Sequence, residues 1–120
     1  VRTPQDAVCL FRLGCCGVII GRAAIGNPLV FSWIRRTLQG EQASFPSVRE
    51  RYETCLRHFD LLSQEIGPER AVLEMRKQLT RYLKGLPNLH RLLQPLLTVR
   101  DPSEFASGLR SLEPYVATFS

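Results

Sequence analysis

The run Gly17-Val18-Ile19-Ile20-Gly21 constrains the fold more than any other segment of this 120-residue chain. It is apolar on both faces and rich in β-branched residues, which is typical of a buried strand in a parallel sheet. The other periodic segments follow helical spacing, and a single strand cannot form a sheet by itself. The first forty residues are therefore predicted to be the last unit of a larger α/β structure.

Helix signals surround this strand on both sides. A capping pattern that begins at Thr3 predicts a helix over residues 4–12, and Pro28 opens a second helix that ends near Gln39. The segment 40–46 has the character of a linker and marks a domain boundary. We therefore expect one domain over residues 1–40 and another over residues 41–120.

The second domain is predicted to be helical throughout, because its apolar residues recur with a period of about 3.6. Ser47 begins a capping box, Gly67 ends the helix that follows, and Pro68 starts the next one. Four helices are expected, over residues 47–66, 68–84, 89–93 and 101–112. The chain as a whole is therefore mainly α.

Charge and composition narrow the class of protein. Sixteen Lys and Arg residues against eleven Asp and Glu give a net charge of +5, which favours an anionic partner. No apolar run approaches the roughly 20 residues of a membrane-spanning helix. The chain begins at Val1 with no secretory signal and no initiating Met, which is consistent with a fragment of a cytoplasmic protein.

The four cysteines do not indicate a metal site. Cys9, Cys15, Cys16 and Cys55 lack the paired spacing of a zinc site, and only two histidines are present. We expect reduced, mostly buried thiols that serve packing, and no metal.

The turn after the predicted strand is suited to bind a phosphate. Gly21 permits close approach of an anion to the backbone, and a helix start after it would offer free N–H groups. Arg22 adds a positive charge and a planar set of donors. The alternative is an ordinary tight turn with Arg22 in solvent, which spacing alone favours.

A basic stripe is predicted on the helix over residues 68–84. Arg70, Lys77, Arg81 and Lys84 would project within about 60° of one another on a continuous helix, opposite an apolar face. Such stripes bind phosphate backbones without reading sequence, although a solvated helix face has the same pattern. Glu74 lies within the stripe and dilutes its charge.

Other polar and aromatic positions are predicted to serve packing. Arg76 lies at the edge of the apolar face and could be a packed or bridging residue, and His90 and Arg91 could extend the basic surface. Core or boundary positions are expected for Trp33, Tyr52, His58 and Phe59.

Two segments resemble one known family. Residues 14–28, GCCGVIIGRAAIGNP, resemble the eighth-strand segment of the tRNA-dihydrouridine synthases, and residues 75–87, MRKQLTRYLKGLP, resemble the helical C-terminal domain of that family. Cys16, Leu29 and Gln78 depart from the residues usual in the family. These departures leave open an alternative, in which the chain is a non-catalytic helical RNA-binding remnant.

The resemblance implies an FMN-dependent enzyme that reduces uridine to 5,6-dihydrouridine in tRNA, with NADPH as the reductant. The fold would be the last β/α unit of an incomplete (β/α)8 TIM-type barrel followed by a small four-helix domain. The family's Gly-Arg pair falls on Gly21 and Arg22, which would hold the FMN phosphate. The helical domain would contact tRNA through the basic stripe.

The catalytic residues of the family fall outside this chain. Its catalytic cysteine lies on an earlier barrel loop, so none of the four cysteines here is assigned that role. We therefore expect the 120-residue segment alone to be inactive, with the remainder of the barrel as its partner. Another FMN-binding barrel is a third interpretation, and the motif over residues 75–87 argues against it.

Overall fold

The computed structural model describes residues 1–42 and 44–119. Over this part of the chain the regular structure is helical, with eight α-helices and one 3₁₀ turn at Arg22–Ala24. The α-helices are α1 (Pro4–Arg12), α2 (Val30–Leu38), α3 (Val48–Ile66), α4 (Pro68–Arg76), α5 (Leu79–Tyr82), α6 (Leu89–Leu93), α7 (Pro102–Arg110) and α8 (Glu113–Phe119).

The chain divides into two compact units. The first comprises Val1–Pro46, and the second comprises the rest of the chain from Ser47. None of the described helices is long and apolar enough to cross a membrane.

The predicted strand does not form. Residues 17–21 are irregular, and no strand occurs anywhere in the described ranges. A strand is stabilised by the hydrogen bonds of a neighbouring strand, and this part of the chain offers none. Val18 and Ile20 still pack against the small core of the first unit, whereas the side chain of Ile19 is 89% exposed.

The first unit is organised by α1 and α2. Thr3 caps α1 as predicted, and the N–H groups of Arg2 and Thr3 donate to Asp6 Oδ2 at 2.9 and 3.1 Å, which lowers the pKa of Asp6. Ala7 on α1 packs with Val30 and Ile34 on α2, and these three side chains form the buried centre of the unit.

The second unit has a larger core built from all six of its described α-helices and the turns between them. Ser47 caps α3 through its hydroxyl, which accepts from the Glu50 N–H at 3.1 Å. The fully buried side chains that dominate the core are Val72, Met75, Leu79, Tyr82, Leu83, Leu93, Phe105, Leu109 and Val116. Four helices were expected here; the further two are α5 and α8.

The helix predicted over residues 68–84 is broken. α4 ends at Arg76, and the N–H groups of Lys77 and Gln78 bond to carbonyls three residues back instead of four. α5 then begins at Leu79. No Gly or Pro lies at the break, so the sequence has no local helix-breaking residue that would predict it.

Burial of the cysteines differs from the prediction at three of four positions. Cys55 is fully buried on α3, and burial raises the pKa of its thiol to about 12. Cys9 is exposed on α1, and Cys15 and Cys16 are exposed in the irregular segment that follows it. All four are free thiols.

Candidate phosphate-binding turn and basic surface

The 3₁₀ turn at Arg22–Ala24 presents unused donors. The Ala24 N–H bonds to the Gly21 carbonyl at 3.1 Å, which leaves the N–H groups of Arg22 and Ala23 without a partner among the described residues. Apart from Gly21 and its two chain neighbours, no atom lies within 4 Å of the point where a Cβ on Gly21 would stand. Arg22 is exposed, so its guanidinium is accessible to an anion, and Ala23 is partly exposed.

Asn27 anchors the other end of this turn, and the sequence reasoning did not single it out. Its N–H donates to the Ala24 carbonyl at 3.2 Å, and its carbonyl accepts from the Val30 N–H at 3.1 Å. Asn27 is 9% exposed, and its Oδ1 accepts no hydrogen bond from the part of the chain described. The sequence signal that could have identified Asn27 is its position between Gly26 and Pro28. In the structure Gly26 has a φ of +68°.

The four basic side chains predicted as a stripe are all exposed. Arg70 lies on α4 and Arg81 on α5, whereas Lys77 and Lys84 lie in the turns that follow these helices. The 60° spacing predicted for one continuous helix therefore does not apply across the break. Their apolar counterparts are buried as predicted, since Ala71, Val72, Met75, Leu79, Tyr82 and Leu83 are each 0% exposed.

Glu74 reduces the net positive charge of the surface formed by Arg70, Lys77, Arg81 and Lys84. Its Oε1 lies 3.2 Å from Lys77 Nζ, and both side chains are largely exposed. Such a pair contributes little to stability in solvent. It does, however, neutralise Lys77 locally, as the sequence indicated.

Arg51 is a buried cation on α3 that the sequence reasoning missed. It is only 5% exposed, and its Nη2 donates to the Lys84 carbonyl at 2.8 Å. Burial lowers the pKa of Arg51, because desolvation penalises its charged form. The signal was its position on the apolar face of α3, three residues after Val48 and four before Cys55.

Arg76 is a packed residue, which is one of the two roles predicted for it from the sequence. It is half-buried, and its Nη1 lies 3.5 Å from the Val99 carbonyl oxygen. It therefore does not belong to the exposed basic set. His90 and Arg91 are exposed at the α6 surface.

The histidine and the aromatic residues serve packing, as predicted. His58 is half-buried, and its Nδ1 lies 2.7 Å from the Tyr82 hydroxyl oxygen. The Phe59 ring lies 5.0 Å from that of Phe105. Tyr52 is buried, and its hydroxyl donates to the Leu109 carbonyl.

Trp33 packs within the first unit. It is half-buried, and its ring meets the Phe45 ring edge to face at 5.2 Å. Over the described ranges, no group of three or more His, Cys, Asp or Glu side chains could hold a metal ion.

Comparison with known proteins defines the class. A family model described as dihydrouridine synthase matches residues 1–117. The probable tRNA-dihydrouridine synthase of Treponema pallidum (strain Nichols) is 27% identical over 117 residues, which are 97% of this chain and 34% of that relative. That of Mycobacterium leprae (strain TN) is 31% identical over 111 residues, 91% of this chain and 29% of the relative. That of Mycobacterium tuberculosis (strain ATCC 25618 / H37Rv) is 32% identical over 101 residues, 83% of this chain and 26% of the relative.

The chain belongs to the dihydrouridine synthase family. The resemblance drawn from residues 14–28 and 75–87 is thereby confirmed. The chain spans about a third or less of the length of these curated relatives.

Proposed function

We propose that this chain forms the C-terminal part of an FMN-dependent tRNA-dihydrouridine synthase, which reduces uridine to 5,6-dihydrouridine in tRNA with NADPH. The family match over residues 1–117 is the observation that carries this proposal. Residues 1–40 would supply part of the FMN phosphate site, and residues 41–120 would bind tRNA.

The phosphate turn fits one end of the flavin. Two backbone N–H groups, those of Arg22 and Ala23, and the Arg22 guanidinium offer donors and positive charge, and Gly21 leaves the approach open. The flavin, when bound, supplies the chemistry that reduces the 5,6 double bond of uracil. This chain's part is to hold the phosphate, and we place the ring contacts and the catalytic cysteine in the rest of the barrel.

The exposed apolar side chains of the first unit support its role as one part of a barrel. Ile19 is 89% exposed, Leu13 81%, and Phe31 50%. Scattered apolar residues are normal on a surface, but Ile19 lies in the segment predicted as a strand. We propose that residues 17–21 pair with neighbouring strands when the barrel is complete, which would also cover the exposed thiols beside them.

The exposed basic residues of the second unit fit a phosphate backbone. Arg70, Lys77, Arg81 and Lys84 are exposed on segments that bury Val72, Met75, Leu79, Tyr82 and Leu83 in the core, so their side chains are accessible to a partner. Lys and Arg side chains bind phosphates by releasing counterions, without reading base sequence. This surface would therefore set the affinity for tRNA rather than the choice of uridine.

A chimera tests the proposal. The third of the Treponema pallidum relative that matches this chain is replaced by the chain, and dihydrouridine formation in an unmodified tRNA transcript is measured with FMN and NADPH. The unaltered relative, assayed alongside, shows that the assay detects activity. We expect the chimera to bind flavin and to form dihydrouridine.

The chimera also separates the two interpretations that the sequence left open. A folded chimera that binds tRNA but neither retains flavin nor forms dihydrouridine would favour the non-catalytic RNA-binding remnant. A chimera that retains flavin but forms no dihydrouridine would contradict the proposal that residues 41–120 bind tRNA for the reaction.

A further inference from the structure

Lys84 depends on tertiary contacts for its position. It lies in the turn after α5, outside any helix, so regular backbone hydrogen bonds do not fix it. Its N–H reaches the Arg81 carbonyl at a long 3.4 Å, and Gly85 follows with a φ of +102°. A segment of this kind needs a partner from elsewhere to hold one conformation.

That partner is Arg51, which lies 33 residues earlier on α3. Its Nη2 donates to the Lys84 carbonyl at 2.8 Å, and a Cβ on Gly85 would stand 4.0 Å from the same nitrogen. A guanidinium that is only 5% exposed is costly to bury, and its hydrogen bonds offset part of that cost.

We infer that Arg51 is a positioning residue for RNA binding, which fixes the Lys84 backbone so that the Lys84 and Arg81 side chains meet neighbouring phosphates. This inference rests on the proposed tRNA-binding role of the second unit. Arg51 does not touch RNA itself, because its guanidinium is buried under the turn. It acts by preorganising the turn, which lowers the entropy lost when the basic side chains bind.

The test is a double-mutant cycle in the whole chain, with an unmodified tRNA transcript as the probe. Arg51→Met keeps an unbranched apolar side chain and removes the guanidinium with its charge and donors, and Lys84→Ala removes the charge that Arg51 is argued to position. Arg57→Met is the matched control, since Arg57 is an exposed arginine on the same helix. Thermal unfolding of each variant shows that it is folded.

We expect Arg51→Met to weaken tRNA binding about threefold or more, while Arg57→Met has a smaller effect. Lys84→Ala should weaken binding in the wild type and cost clearly less in the Arg51→Met background, because a turn that is no longer fixed has already lost part of the Lys84 contact. Equal losses in the two backgrounds, or wild-type affinity in folded Arg51→Met, would overturn the inference.

Two further outcomes are distinguishable. If Lys84→Ala leaves tRNA binding unchanged in the wild type, both the proposed Lys84 contact and the role of Arg51 are wrong. If Arg51→Met does not fold, Arg51→Lys replaces it, and hydrogen exchange of the Leu86 amide, which bonds to the Leu83 carbonyl at 3.1 Å across this turn, is measured. Unchanged exchange and unchanged tRNA affinity in Arg51→Lys would then overturn the inference, whereas faster exchange with weaker binding would support it.

Discussion

His58 Nδ1 lies 2.7 Å from the Tyr82 hydroxyl oxygen, and this hydrogen bond joins α3 to α5. Tyr82 is fully buried and His58 half-buried. Desolvation lowers the pKa of His58 and raises that of Tyr82, so both groups are held in their neutral forms. The pair therefore places a titratable group beside the helix that carries Arg81.

Stability should fall on mild acidification because of His58. Its pKa in the folded chain is below the unfolded value of about 6.5, so proton uptake favours the unfolded state. The stabilising contribution of neutral His58 is complete above that unfolded value and is lost as pH falls through the folded pKa. We expect the Tm of the wild type to drop between about pH 7.5 and pH 5. His58→Gln, which does not titrate, should show a flatter dependence. His90→Gln, at an exposed position, should follow the wild type, and equal slopes for all three proteins would contradict this account.

Gly108 on α7 should not tolerate a methyl group. A Cβ there would stand 2.2 Å from Leu96 Cδ2, and Leu96 is only 4% exposed. Alanine gains about 1 kcal/mol in helix propensity, but overpacking costs about 1–3 kcal/mol, so we expect Gly108→Ala to lower the Tm. In a Leu96→Ala background the clash is gone, and the same substitution should raise the Tm. A higher Tm for Gly108→Ala in the wild-type background would show that Leu96 moves aside freely.

The helix capping and the burial pattern of residues 68–84 could be predicted from the sequence, because both depend on local residues. Thr3 and Ser47 cap α1 and α3 as their hydroxyls and following residues indicated. The apolar side of residues 68–84 is buried throughout, and its basic side is exposed. Periodicity alone carries this information, since it reports which face of a helix avoids water.

The missed features depend on residues far apart in the chain. The strand over residues 17–21 was predicted from its own composition, but a strand forms only against another strand. The break before Leu79 has no local signal, because no Gly or Pro lies there. The sequence shows Arg51 only as a charged residue within α3. Its hydrogen bond to the Lys84 carbonyl, 33 residues later, depends on the tertiary fold. The phosphate-binding role of Gly21 and Arg22 stays a prediction, as does the tRNA-binding role of Arg70, Lys77, Arg81 and Lys84.

Arg22 should contribute to flavin retention once the barrel is complete. In the Treponema pallidum chimera, Arg22→Ala should raise the Kd for FMN roughly tenfold or more, which corresponds to the loss of about 1.5 kcal/mol for a hydrogen bond to a charged group. Arg35→Ala removes an exposed arginine of α2 and is the matched control. An unchanged Kd for FMN in Arg22→Ala would mean that Arg22 does not contact the phosphate and is only a solvent-exposed residue of an ordinary turn.

Glu74 should oppose RNA binding. Glu74→Gln removes a negative charge and releases Lys77, whose Nζ lies 3.2 Å from Glu74 Oε1. We expect tRNA affinity at low salt to rise modestly, about twofold, because an exposed ion pair contributes up to about 1 kcal/mol. Glu104→Gln on α7 makes the same change in net charge at another exposed position. If both variants bind equally well, net charge alone sets the affinity, and the Lys77 contact is wrong.

The central claim is that the exposed cations around α4 and α5 bind the phosphates of tRNA, and the salt dependence of binding tests it most directly. The logarithm of the binding constant is measured against the logarithm of the salt concentration for the whole chain and for Lys77→Ala/Arg81→Ala. Arg12→Ala/Arg35→Ala serves as the control, because it removes the same charge from exposed positions of the first unit. If both cations contact phosphates, the slope of the Lys77→Ala/Arg81→Ala variant should be flatter by up to about two units, and the control should keep the wild-type slope. Identical slopes for the wild type and Lys77→Ala/Arg81→Ala would contradict the claim, since these cations would then meet only solvent.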